Sequence, residues 1–353
     1  FTYSKDIFTK SAGMYIFTDK KKRYLDLTGG MGVLNHGHNH PEILLTRLKF
    51  QKAKNLEVHK NILSPHLAKL SEKIYKILPN ELKISFFPNS GAEANEGAIK
   101  AAYKFFEGKK DIILHSDRSF HGKLIATGAI SSPLKNVNYP KFLNNKTFKF
   151  NDIKSLKKTI NKSKSKNIFA IIIEPFSAST FSSCSYSFLK ELRKICNKQK
   201  IILIYDEVYT GWCKTGYLFY FMKYRGICPD ILTASKSLGG GKASIGMYTM
   251  KSKIFNKSYG NIGDSLLHST TFNGFGEEAV TAMKAIEIMM RDKYDKKSKN
   301  AGREINKNFE DLKKKFCNYN MSIKGCGCIQ NITIGNNEIK DSFLRSLLSM
   351  SIP

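Results

Sequence analysis

Between about residue 51 and residue 290, short apolar runs alternate with helical patterns, and that alternation leaves the chain few folds to choose from. The runs at 84–87, 111–115, 168–174, 201–206 and 246–250 read as strands. Several are apolar at nearly every position, as strands buried on both faces are. Helical patterns lie between them, notably at 92–106 and 186–197. Strand and helix in turn at this spacing predict an α/β fold: a mostly parallel sheet with helices on both faces. Ahead of that block, 15–18 and 24–27 read as short strands before a Gly-rich loop. Behind it, 293–318 reads as a Lys/Asn-rich helix and 322–333 as a strand pair. A chain of 353 residues has room for about two domains, or one large domain with a satellite.

Composition excludes several classes. With 41% hydrophobic and 25% charged residues, the chain is neither mainly disordered nor collagen-like. Its apolar runs fall far short of the ~20 residues that span a bilayer, so no membrane partner is expected. The net charge of +29 raises the question of nucleic acid. Only eight of the 58 cationic residues are Arg, and the lysines are scattered, with no patch interleaved with aromatics. They read as a solvated surface, and no nucleic-acid partner is expected. The seven cysteines are odd in number and irregular in spacing, and no charged-then-apolar leader opens the sequence as it stands. Both lead to the expectation of a reduced, cytoplasmic protein. His36, His38 and His40 lack a carboxylate or Cys at ligand spacing, and no metal site is expected.

In open α/β sheets, ligands sit at the carboxyl ends of the strands. Three features there carry chemistry. Asn89-Ser90-Gly91 follows a strand and opens an Ala-rich helix, whose free N–H groups and positive dipole end suit a phosphate. Ser90 equally reads as an ordinary helix cap. Asp206 closes a buried strand, where a carboxylate is costly without a cationic partner. A protonated ring nitrogen would serve, as would a structural salt bridge. Lys236 lies between an apolar stretch and Gly239-Gly240-Gly241. A desolvated Lys there can condense with an aldehyde, though a surface Lys is the plainer alternative. Together the three are handles for pyridoxal 5′-phosphate (PLP).

Motifs in order along the chain resemble the class III aminotransferases, PLP enzymes of fold type I that include acetylornithine, ornithine and ω-amino acid aminotransferases. Gly37-His38-Asn39-His40-Pro41, Ser90-Gly91-Ala92-Glu93-Ala94-Asn95-Glu96, Phe120-His121-Gly122, Glu174-Pro175, Asp206-Glu207-Val208 with Thr210-Gly211, Lys214-Thr215-Gly216, Ser235-Lys236 and His268-Ser269-Thr270-Thr271-Phe272 carry the resemblance. It implies a PLP-dependent transfer of an amino group from an amine or ω-amino donor to an oxo acid. It implies that Lys236 forms the Schiff base and that Asp206 holds the pyridine nitrogen protonated. Val208 and Phe120 would cover the two ring faces, with His121 in the same aromatic-His-Gly motif and Tyr209 beside Val208. Ser90, Gly91 and Ala92 would bind the phosphate, helped by Thr271 of a second subunit in a homodimer. Glu174 would lie behind Asp206. The same resemblance divides the chain into 1–50 as the N-terminal segment of a smaller α+β domain, 51–290 as the PLP-binding domain, and 291–353 as the start of the C-terminal small domain, cut short here.

Three departures bear on the donor. The acetylornithine and ornithine branch has Arg where Lys123 stands, Glu where Ser179 stands, and often Gln where Tyr209 stands. A Lys cannot make Arg's bidentate fork on a carboxylate. These changes point away from acetylornithine or ornithine, toward an ω-amine, a diamine or an amino-sugar-like donor. An aminomutase or decarboxylase of the same fold would keep the same cofactor residues, and a non-catalytic relative would keep the fold.

Overall fold

A computed structural model of the chain describes residues 6–57, 62–79, 81–132, 143–317 and 320–335. Its strands are β1 (Phe8–Ala12), β2 (Tyr15–Thr18), β3 (Arg23–Leu25), β4 (Ile84–Phe86), β5 (Ile112–Ser116), β6 (Asn144–Phe148), β7 (Ile168–Ile173), β8 (Phe176–Ser177), β9 (Ser182–Ser183), β10 (Ile202–Asp206), β11 (Ile231–Ala234), β12 (Met247–Met250), β13 (Met321–Cys326) and β14 (Ile329–Ile334). Seven of them form the central sheet in the order β4-β12-β11-β10-β7-β5-β6. β12 runs antiparallel to both neighbours, and the other pairings are parallel. β1–β3 form a separate antiparallel sheet, and β13 pairs with β14.

The apolar runs are strands because the sheet is covered twice. All six residues of β7 and all five of β10 are buried. Successive side chains of a strand point to opposite faces. Ala170, Ile172, Ile202 and Ile204 pack with Ala94, Ala98, Ala101 and Ala102 of the helix Gly91–Phe105. Ile171, Ile173, Leu203 and Tyr205 pack on the other side with Leu189 and Leu192 of the helix Tyr186–Gln199. Each buried Ile or Leu contributes roughly 1.5–3 kcal/mol over leaving it in water.

Five strands were not legible as such, among them the two-residue pair β8 and β9, too short to leave a period. β6, of sequence Asn-Asn-Lys-Thr-Phe, is a polar edge strand and lacks the apolar signal. β11 has only four residues and merges in sequence with the polar turn after it. β1 is mostly exposed and makes the N-terminal pair of strands a sheet of three. Residues 336–353, the later part of the segment expected to begin a small domain, lie outside the described residues. Among the described residues no helix is long and apolar enough to cross a membrane, and no cluster of His, Cys, Asp or Glu could hold a metal. His38 is instead paired with Asp26 at 2.8 Å.

The parallel strands share one direction, so their carboxyl ends lie along one edge. Asp206 closes β10, Lys236 follows β11 by two residues, Glu174 follows β7, and 116–122 leaves β5.

Candidate active site

Asp206 is 3% exposed and held by three donors. Its Oδ2 accepts from Asn95 Nδ2 and His121 Nδ1, both at 2.7 Å, and its Oδ1 accepts from the Val208 N–H at 2.9 Å. A carboxylate offers about four lone-pair sites. Three are filled, and one is left for a further N–H. Asn95 is itself fixed, because its Oδ1 accepts from Thr233 Oγ1 at 2.6 Å. The His121 Nδ1–H donates to the carboxylate, and its Nε2 is buried without a hydrogen-bond partner among the described residues.

Lys236 opens a short 3-10 turn with φ of +52°. A non-Gly residue in the left-handed region costs roughly 1–3 kcal/mol, so the surrounding contacts must hold it there. Ser235 donates to the Ile245 carbonyl and Ser237 to the Gly32 carbonyl, pinning the turn on both sides. The Lys236 ammonium lies 5.4 Å from the centre of the Tyr209 ring. Burial lowers the Lys236 amine below the ordinary lysine range, and the charges of Asp206 and Glu174 act against that shift. The side chain therefore does not behave as a solvated surface lysine.

Ser90 caps the helix Gly91–Phe105, its hydroxyl accepting from the Glu93 N–H at 3.2 Å. The ordinary cap read from the sequence is thus present. It leaves the N–H groups of Gly91 and Ala92 without a partner among the described residues. Those two donors, at the positive end of the helix dipole, could hold a phosphate. Gly91 is required by its surroundings: a Cβ there would lie 2.5 Å from Val208 Cγ1. Gly122 (φ +131°) likewise brings the Phe120-His121-Gly122 loop against Ala92, where a Cβ would meet the Ala92 Cβ at 2.7 Å.

Glu174 is buried, and its carboxylate accepts from the N–H groups of Phe120 (3.0 Å) and Ala178 (3.1 Å). Burial first, and then the charge of Asp206, raises its carboxyl well above the usual range. Burial also raises the Tyr209 phenol. Thr271 is exposed on this chain, while the adjacent Thr270 accepts from Asn89 Nδ2 at 2.8 Å, two residues before Gly91. Lys123 and Ser179 are exposed.

Sequence reasoning missed two side chains. Asn95 read only as part of a helical motif, and its pairing with Asp206 spans 111 residues. Lys214 read only as a motif position. It is buried, its Nζ donates to Ser237 Oγ at 3.1 Å, and burial brings its amine down to about 7, with the Lys236 charge adding to the shift.

The family model described as aminotransferase class-III matches residues 3–350. The chain belongs to the class III aminotransferases. The acetylornithine aminotransferase of Prochlorococcus marinus subsp. pastoris is 34% identical over 351 residues, covering 95% of this chain and 81% of that protein. That of Methanocaldococcus jannaschii is 33% identical, covering 91% of this chain and 79% of that protein. An amine transaminase from an uncultivated Pseudomonas species, solved with PLP bound, superimposes with a TM-score of 0.85 at 20% identity, over 92% of this chain and 79% of that one. The fold is that of the type I PLP transaminases, and the chain is a PLP-dependent aminotransferase. The local donor set fits this cofactor: two free N–H groups for its phosphate, one open carboxylate site for its ring nitrogen, and a desolvated amine for its aldehyde.

Proposed function

We propose that this aminotransferase works through Lys236 as the catalytic amine and Asp206 as the anchor of the cofactor ring. The observation that carries the reading is the triply held, buried Asp206 carboxylate, near enough for its charge to act on the depressed Lys236 amine. PLP, when bound, supplies an aldehyde for the donor amine and a ring that withdraws electrons from the donor Cα. Asp206 accepts a hydrogen bond from the ring N–H, a charge-assisted contact of about 1.5–3 kcal/mol. Gly91 and Ala92 donate their N–H groups to the phosphate, with Ser90 beside them, and Val208 and Phe120 enclose the ring. His121 and Glu174 steady Asp206 and the Phe120 loop from behind. The Lys236 amine would be the base that takes the proton from the donor carbon and then, as its ammonium, the acid that gives that proton back. The donor leaves as a carbonyl compound, and an oxo acid then takes up the amino group.

Residues 51–290 make the cofactor domain in this reading, with 1–50 and 291–353 contributing to the smaller one. The protein works in the cytoplasm as a homodimer, in which Thr271 of the second subunit completes the phosphate cradle. Ile262, Leu266 and Phe272, flanking Thr271, are 94%, 69% and 61% exposed, and a second copy would cover them. The donor is an ω-amine, a diamine or an amino-sugar-like amine and not acetylornithine or ornithine, because exposed Lys123 and Ser179 stand where that branch has Arg and Glu. Half-reactions with diamines, ω-amino acids, ornithine and N-acetylornithine, followed by loss of the bound cofactor's visible absorbance, test this choice. Fast conversion of diamines or ω-amines is expected, and turnover of N-acetylornithine alone contradicts it.

A further inference from the structure

A cavity lies away from Lys236, at the opposite edge of the sheet. It has a volume of about 720 Å³, within the range of small-molecule sites. Its floor is the apolar start of β10 (Ile201, Ile202) with Cys196 and Ile254. Its wall carries seven lysines and Arg193 against only two carboxylates, Glu107 and Asp230.

Both carboxylates are already engaged. Asp230 pairs with Arg193 at 2.9 Å and Lys251 at 3.0 Å, and Glu107 pairs with Lys109 at 2.7 Å. Lys110, Lys166, Lys200, Lys253 and Lys257 have no carboxylate partner among the described residues. They come from four separate stretches of chain. Burial and the nearby Lys200 charge lower the Lys110 amine, so the crowding is already felt. A concave surface lined with one sign of charge focuses the potential and gathers counter-ions.

We infer that this cavity binds a compact polyphosphate anion, free or carried by a nucleotide. The aromatic side chains point the same way. Lys110 Nζ sits 4.1 Å from the centre of the Phe106 ring, and Lys257 Nζ 5.2 Å from that of Phe105. These contacts place cations over the rings, where a stacked base of a single-stranded nucleic acid would otherwise lie. Lys110 Nζ also donates to the Lys200 carbonyl at 2.8 Å, and the ammonium groups around the cavity are point charges, which suits phosphate oxygens.

The test uses PLP-loaded protein, so that the cofactor's own phosphate cradle is filled. Calorimetric titration with tripolyphosphate at low salt is expected to give saturable, one-to-one binding, with orthophosphate at least tenfold weaker. Lys200→Glu with Lys253→Glu should weaken tripolyphosphate binding at least tenfold, and the milder Lys200→Gln with Lys253→Gln should weaken it severalfold should the first pair fail to fold. A control pair outside the cavity, Lys313→Glu with Lys315→Glu, should stay within twofold. Adenosine triphosphate separates the sources: tighter binding than tripolyphosphate marks a nucleotide-borne chain, and equal binding a free one. No saturable binding, or equal loss in the control pair, overturns the inference. So does a DNA duplex that binds more tightly per phosphate and ignores the cavity substitutions.

Discussion

The two edges of the central sheet carry opposite kinds of polar structure. At the carboxyl edge, the charged groups of the site are engaged with one another: Asp206 has three donors, Glu174 two, and Lys236 feels both carboxylates. At the amino edge, five lysines without a carboxylate partner among the described residues line a cavity whose two carboxylates are already paired with Lys109, Arg193 and Lys251. The difference follows from burial. A desolvated charge without partners is costly, so the carboxyl edge had to be satisfied group by group. Ammonium groups on exposed side chains such as Lys166, Lys200, Lys253 and Lys257 are stabilised by water and salt, so the amino edge tolerates their crowding.

The largest expected effect breaks the carboxyl edge. Lys236→Ala should lower turnover at least about 10³-fold while circular dichroism shows the fold retained, because the amine takes part in proton transfer and nothing nearby replaces it. A variant keeping a tenth of parent activity would mean another group does this work. Asp206→Ala comes next. It leaves His121 Nδ1 and one of the two N–H bonds of Asn95 Nδ2, whose other donates to the His121 carbonyl, without an acceptor in a buried site, at about 1–3 kcal/mol each. Weakened cofactor retention on dialysis and a lower melting temperature should appear together; unchanged retention would separate Asp206 from the cofactor.

A third prediction sharpens the contrast through pH. The buried Lys214 amine is down at about 7, below its value in the unfolded chain. Its contribution to stability is therefore present at the alkaline end, above the ordinary lysine value, and is lost as pH falls toward 7. Lys214→Met removes that loss along with the constant bond to Ser237. The variant's melting temperature relative to parent should rise by several degrees between pH 10 and pH 7, and a flat difference would show that Lys214 carries no buried charge. The smallest effect concerns the amino edge. Lys200→Gln with Lys253→Gln should raise the melting temperature by about a degree at low salt and not at all at high salt. A salt-independent change would point to packing instead.

Much of the carboxyl edge was legible because chemistry and period coincided there. β7 and β10 are apolar throughout, and a single Asp or Lys at the end of such a run stands out. What could not be read was pairing across the sequence. Asn95, His121 and Asp206 meet only once the helix and two strands are assembled. The amino-edge cavity was not legible for a related reason. The lysines are scattered along the sequence with no patch interleaved with aromatics, and only folding gathers seven of them at one cavity and sets two over Phe105 and Phe106. Edge strand β6 escaped because its polar sequence records exposure and not its pairing with β5.

With so many lysines in the chain, the decisive question is which amine the cofactor chooses. Borohydride reduction of the PLP-loaded protein, followed by peptide mass spectrometry, answers it directly. The account predicts one reduced pyridoxyl adduct per chain, on the peptide containing Lys236. An adduct on another lysine, Lys214 included, or an adduct spread over many surface lysines, would contradict it.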